Sequence, residues 1–295
     1  MIKRTIEISG RGHHLFLQQG SLAIRRDGEV VARIPLEDIG LVVLDCPDTT
    51  YTHIVLSEIL AAGGAVVPCG RDHLPAGLFL PQTNSLQTQR LRRQAAAPLP
   101  LRKRLWKQLV QAKVRHQAAA LGKDSPVARK LRGLVATVRS GDPANVEAHA
   151  ARVYWPALLG KTFRRKPKGK PPNNLLNYGY MVLRAAVARA IAAAGLHPSL
   201  GLHHHGRSNT FCLADDLLEP LRPLVDRTVR ELHADGRDEL DRPTKAELLS
   251  LLTLEIEVAD LKGPLQVALE RVLASLVRCY AGDARLMELP RLWST

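Results

Sequence analysis

The hydrophobic period changes near residue 75, and that change restricts the fold more than any single motif. From Ile2 to about Pro75 the apolar residues alternate in short runs, TIEIS, LFLQ, SLAIRR, EVVARIPL and GLVVL, separated by Gly, Asp-Gly and Pro. A period of two turns one face of a strand to a core and the other to water. Asp27-Gly28, between LAIRR and EVVARIP, supplies the residue types that a two-residue hairpin turn requires, since both positions need positive φ. TYTHIVLSEILAAGG reads as a helix closed by Gly63 and Gly64, and AVVPCG as one more short strand. Beyond a linker the period becomes helical. LRKRLWKQLVQAKVRHQAAALG, DSPVARKLRGLVATVRSG, DPANVEAHAARVYWPALLG, NNLLNYGYMVLRAAVARAIAAAG, TKAELLSLLTLEIEVADL and GPLQVALERVLASLVRCYAG each read as a helix. The expected class is α+β and multi-domain: a small β-rich domain over residues 1–75, a linker over 76–85 and a larger all-α catalytic domain over 86–295.

Charge narrows the possible partners. The chain carries a formal +14, and thirteen Lys or Arg between Arg90 and Arg132 face one acid, Asp124. A second cluster, KTFRRKPKGK at 161–170, contains Arg164, Arg165, Lys166 and Lys168 and no acid, in a Gly- and Pro-rich stretch expected to be a mobile loop. Clusters of this size attract polyanions, and no amphipathic anchor accompanies them, so nucleic acid is expected ahead of a membrane surface. No signal sequence or long apolar run occurs, which predicts a soluble cytoplasmic protein. Cys46, Cys69, Cys212 and Cys279 lack CxxC spacing and read as buried thiols. GxxxxGK[ST], GxGxxG and GxSxG are all missing, so nothing supports nucleotide-driven or serine-nucleophile chemistry.

Against this basic background the stretch GLHHHGRSNTFCLADDLLEPLRP gathers imidazoles and acids. On a helix starting near Ala214, Leu213, Leu217, Leu221 and Leu224 form an apolar stripe, and Asp215, Asp216 and Glu219 crowd one arc at its border. Like charges at that spacing destabilise a helix unless a cation sits among them. Glu147, in NVEAHAARVYWPALL, lies on an apolar helix and must find a cation or bind a proton; a salt bridge and a metal ligand are both open to it. His203, His204 and His205 occupy the loop before the acids, and three adjacent imidazoles cannot all point one way. One His with two or three carboxylates suits a hard divalent ion, Mg²⁺ or Mn²⁺, for phosphoryl transfer. Asn174 and Asn177 beside Tyr178, with Arg184 and Arg222, are candidates for phosphate positioning, with capping and salt bridges as the structural alternative.

These motifs together carry a resemblance. V-E-A-x-x-A-x-x-Y-W-P, N-x-L-L-N-Y-G-Y-x-V-L-R-A and G-L-H-H followed by N-x-F-C-L-A-D-D-L-L-E-P-L-R-P-L-V-D resemble, in order, the CRISPR-associated integrase of spacer acquisition, the Cas-one family, in its type II branch. The similarity extends from the N-terminal strands to about residue 230. It implies a β-rich domain used for homodimerisation and a helical domain that binds one Mg²⁺ or Mn²⁺ through Glu147, His204 and Glu219, with Asp216 also catalytic. His203 and His205 compete for the His204 role; His204 is chosen by its spacing to Glu219. The implied reaction is attack by the 3′-hydroxyl of a captured DNA fragment, the prespacer, on a phosphodiester at the edge of a CRISPR repeat; related members resemble nucleases that use water instead. Implied partners are double-stranded DNA, a Cas-two dimer and, for the type II branch, the Cas-nine effector and a ring-forming DNA-end binder. Two other readings stand beside this one: a divalent-metal repair nuclease that never joins strands, and a non-catalytic DNA-binding scaffold whose acids are structural.

Overall fold

The computed structural model describes residues 3–71, 73, 75–82 and 86–293. Part of the expected linker, 83–85, lies outside these residues, as does Ile2 at the start of the first strand run.

The N-terminal strands form where alternation placed them. β1 (Arg4–Ile8), β5 (Ile39–Leu44) and β7 (Ala65–Pro68) make a parallel three-stranded sheet in the order β1-β5-β7. β2 (His13–Gln18), β3 (Ser21–Arg26), β4 (Glu29–Pro35) and the short β6 (Thr50–Tyr51) make a second sheet in the order β4-β3-β2-β6. Asp27 and Gly28 join β3 to β4 with φ of 52° and 86°, the doubly positive pair expected of this turn. Helix α1 (His53–Ala61) follows β6. Part of the expected linker is tied to the sheet, because Phe79 and Val66 exchange backbone hydrogen bonds at 2.8 and 3.1 Å.

Alternation along the central sheet joins two cores. Val42, Leu44 and Val66 face a cluster with Leu15, Leu22, Ile34 and Ile59, while Leu41, Val43, Ala65 and Val67 face the helices. The three-stranded sheet is thus buried on both sides, as a parallel sheet of Val, Ile and Leu should be.

The helices are α2 (Gln87–Ala95), α3 (Leu99–Ala120), α4 (Pro126–Thr137), α5 (Val146–Leu159), α6 (Asn173–Ala193), α7 (Cys212–Leu218), α8 (Arg222–Ala234), α9 (Arg242–Ser250) and α10 (Leu265–Ala281). Helix α6 is apolar on nearly every side and packs against β7, α7, α8, α9 and α10. At its crossing with α8, a Cβ on Gly179 would stand 2.5 Å from Val225 Cγ1, so the close approach requires glycine.

The C-terminal part is not all-α. TKAELLSLLTLEIEVADL does not continue as one helix: α9 stops at Ser250, and β8 (Glu255–Val258) pairs antiparallel with β9 (Leu261–Pro264). Ile256 and Val258 turn into the core while Glu255 and Glu257 turn out. Their two-residue turn, Ala259-Asp260, takes φ of 51° and 63° without glycine. The acids also leave the expected single helix, because α7 ends at Leu218 and Glu219, Pro220 and Leu221 form one tight turn before α8.

Candidate active site

Glu147 is placed by the capped start of α5. Asp142 accepts the backbone N–H of Val146 at 2.9 Å and of Glu147 at 3.0 Å, and Asn145 accepts that of Ala148 at 3.3 Å. Glu147 therefore stands in the first turn, where the helix dipole favours a carboxylate. Its Oε1 lies 2.5 Å from Nζ of Lys113 on α3. The same ammonium lies 2.5 Å from Oε2 of Glu219, so the two carboxylate oxygens are within twice that distance of each other. Glu219 Oε1 accepts a hydrogen bond from Arg222 Nε at 3.0 Å.

Two acids so close, with Glu219 buried, repel strongly in a medium of low dielectric unless cations neutralise them. Lys113 and Arg222 do so. Burial pulls the Lys113 ammonium down, but Glu219 and Glu147 outweigh it and hold the group above the ordinary lysine value. Burial likewise pushes Glu219 up, and Arg222 and Lys113 reverse this, holding its carboxyl well below the usual range.

Asp216, completely buried on α7, organises the histidine loop. Its Oδ2 accepts the backbone N–H of Leu202 at 2.6 Å and of His203 at 3.1 Å; its Oδ1 accepts the His204 N–H at 3.1 Å and His204 Nδ1 at 2.7 Å. With Nδ1 committed, Nε2 is the ring nitrogen left for a ligand. The hydrogen bond to Asp216 raises the His204 pKa against the effect of burial, and His204 and Glu219 each favour the other's charged form. His203 instead lies flat on Trp106, with ring centroids 4.2 Å apart and planes 2° from parallel, and burial lowers its pKa. His205 is exposed, and its Nδ1 donates to the His203 carbonyl. A cavity of about 220 Å³ lined by Arg102, Gly201, His204, His205 and Tyr280 opens beside the loop.

The sequence model of the family described as "CRISPR associated protein Cas1" matches residues 6–247. The chain is 36% identical to the CRISPR-associated endonuclease Cas1 of Neisseria meningitidis serogroup C, over 95% of this chain and 94% of that one. It belongs to the Cas1 family. Solved structures agree in fold. A casposase bound to integration product superposes with a TM-score of 0.77 at 16% identity, over 95% of this chain and 91% of that chain. A chain of a Cas6-RT-Cas1–Cas2 complex gives 0.74 at 18% identity, over 96% of this chain and 35% of that chain.

The divalent ion expected of a Cas1 chain can be tested against the donors present. Among the described residues, no three His, Cys, Asp or Glu side chains stand together ready to hold a metal ion. Lys113 stands between Glu147 and Glu219. The donors fit by type, two carboxylates and an imidazole. Glu219 Oε2 is buried and its neighbour there is the Lys113 ammonium, 2.5 Å away, so the oxygen already faces a cation.

The remaining candidates divide between surface and interior. Arg164, Lys166 and Lys168 are exposed. Arg165 is not free for a polyanion: it donates to Asn173 at 3.0 Å and to Asn177 at 2.7 Å and lies over the Tyr180 ring. Asn177 in turn donates to the Pro167 carbonyl at 2.6 Å, so the loop expected to be mobile is fastened to α6. Tyr178 is fully buried and can contact no DNA; its position on the inner side of α6 places Lys245 over its ring. Arg184 pairs with Asp215 at 2.8 Å, which takes Asp215 out of the expected crowding with Glu219. Arg222 is committed to Glu219 and lies over Tyr180.

Sequence reasoning missed Lys113, Asp142 and Asp226. Lys113 falls on the buried side of α3 with Leu109, Val110 and Gln117, and a lysine on an apolar stripe was the available signal. Asp226 accepts hydrogen bonds from Tyr154, at 3.1 Å, and from Tyr180. Burial raises its carboxyl to about 7 despite those bonds and the nearby Arg222. The triad links α5, α6 and α8.

Proposed function

We propose that this chain is a divalent-metal-dependent DNA integrase and endonuclease that joins captured fragments to a CRISPR array. The carrying observation is that Glu147 and Glu219, from different elements, share one cation at 2.5 Å each, while a buried carboxylate orients His204, whose charged form Glu219 favours. Glu147, His204 and Glu219 would hold Mg²⁺ or Mn²⁺. Bound there, the ion supplies polarisation of the scissile phosphate and stabilisation of the attacking or leaving oxygen. Asp216 acts through His204, fixing its ring and tautomer. Arg222 holds Glu219, and the exposed Arg164, Lys166 and Lys168 hold the DNA backbone. The nucleophile is a substrate 3′-hydroxyl, so no Ser, Cys or Lys nucleophile is required.

Relatives named endonucleases and a structural relative bound to an integration product support this reading. The relative solved with Cas2 supports Cas2 as companion. Residues 1–75 would carry the homodimer contact; Val30 and Val31, exposed on the edge strand β4, are apolar surface for it. The type II effector and the DNA-end-binding ring remain partners implied by branch alone.

The test is a gel assay of half-site joining between a 3′-OH duplex and a repeat plasmid in Mn²⁺. Joining is expected, and its loss in Glu147→Ala, His204→Ala and Glu219→Ala with DNA affinity retained. Nicking without joining would favour the repair nuclease, and unchanged activity in the variants would favour structural acids.

A further inference from the structure

We propose that Lys113 is a built-in competitor of the divalent ion: its ammonium occupies the place between Glu147 and Glu219 and must be displaced before those carboxylates can hold an ion. This inference rests on the metal site proposed above and adds a residue that regulates its occupancy.

The argument is electrostatic and steric. Lys113 Nζ is 2.5 Å from an oxygen of each acid, a separation at which no ion could enter between them without moving the lysine. The lysine is not a surface side chain that wandered in. It is buried on the inner side of α3, with Leu109, Val110, Val114 and Gln117 around it on the same helix, so its stem is packed and its head has few other destinations. The local charges already balance: Glu147 and Glu219 are met by Lys113 and Arg222. A divalent ion added to a neutral set gains less than one added to two bare carboxylates. One opposing charge within a few ångströms of the ion in this partly buried site is enough to change ion affinity by at least about tenfold.

The exchange has a second consequence. In the absence of the ion, Lys113 prevents the repulsion of two nearby acids from weakening the junction of α3, α5 and the turn before α8. A single lysine thereby stabilises the ion-free protein and raises the ion concentration needed for occupancy.

The experiment measures Mn²⁺ binding to the full chain by electron paramagnetic resonance, and thermal melting in chelator and in Mn²⁺. In Lys113→Met, Mn²⁺ should bind at least about tenfold more tightly than in the wild type, melting in chelator should fall, and Mn²⁺ should restore more of it than in the wild type. Affinity that is unchanged or weaker overturns the proposal. A measurement on the unmutated chain covers a variant that does not fold: the ¹³Cε-lysine resonance of Lys113 should shift with Mg²⁺ at the same midpoint as ion binding. A resonance unmoved at saturating Mg²⁺ overturns the proposal. Failure of the metal reading is separable, because then the wild-type chain binds no ion at all; if it binds ion and loses it in Glu147→Gln, only the role of Lys113 is at stake.

Discussion

His204 donates from Nδ1 to Asp216 Oδ1 at 2.7 Å, and the same oxygen accepts the His204 backbone N–H at 3.1 Å. Ring and backbone of one residue are thus held by a single buried atom, and the other carboxylate oxygen holds Leu202 and His203. Chemistry and stability should separate along this pair. His204→Ala removes a side chain 39% exposed and should change stability by less than about 1 kcal/mol while abolishing Mn²⁺ binding. Asp216→Ala strands the buried N–H of Leu202 and the part-buried N–H groups of His203 and His204, at about 1–3 kcal/mol for the buried one, and should lower stability by about 2 kcal/mol or more in urea denaturation. Gly201→Ala should resemble Asp216→Ala, because its Cβ would meet the His204 carbonyl at 2.3 Å and Asp216 Oδ2 at 2.8 Å.

Basic residues that looked alike in the sequence should behave differently toward salt. With six or more phosphates neutralised, the logarithm of the DNA binding constant should fall against log salt with a slope of about −5 or steeper. Lys166→Ala and Lys168→Ala, at exposed sites, should each reduce that slope by about 1. Arg165→Ala should leave the slope unchanged and cost about 1 kcal/mol or more of stability through lost hydrogen bonds to Asn173 and Asn177. Fluorescence anisotropy across a salt series separates the two groups.

That contrast also marks how far the sequence was legible. The N-terminal strands could be placed because their period of two is broken by residues such as Asp27-Gly28 that only turns require. The β8–β9 hairpin was hidden because Ala259-Asp260 makes a positive-φ turn without glycine, leaving LEIEV to be absorbed into a helix. Sequence order put Glu147, His204, Asp216 and Glu219 forward as candidates, and the structure pairs Glu147 with Glu219 through Lys113 and His204 with Asp216 by a hydrogen bond. What could not be read was how its charges are balanced. Counting Lys113 with twelve other basic residues treated it as surface, although its place on the apolar side of α3 requires burial. Helix α6 misled for the opposite reason. Leu175, Leu176, Tyr178, Tyr180, Val182 and Leu183 face inward all around, so no period separates Tyr178 from a surface position.

The N-terminal sheet and the helical part share a buried ion pair, Asp45 with Lys245, and His73 also bonds Asp45 at 3.0 Å. Removing one member leaves the other charge unpaired in the interior. Lys245→Met should destabilise by about 3–5 kcal/mol. Adding Asp45→Asn to it should recover more than half of that loss, since the buried charge disappears with its partner. Denaturant midpoints of the two single variants and the double variant give the coupling directly.

His116, buried on α3, donates from Nδ1 to the carbonyl of Pro220 at 2.7 Å, next to Glu219. Burial lowers its pKa from 6.5 to about 4. The folded chain therefore resists protonating this ring while the unfolded chain accepts a proton below about 6.5. Between these values the unfolded state binds more protons, so stability rises with pH through the window and is lost as pH falls from about 6.5 toward 4. The loss from this one group should be about 2 kcal/mol between roughly pH 7.5 and pH 5. His116→Gln should be less stable than the wild type at the higher pH and should lack this portion of the acid dependence. Urea unfolding at the two pH values measures it, and an equal acid dependence in both proteins would assign the effect to other groups.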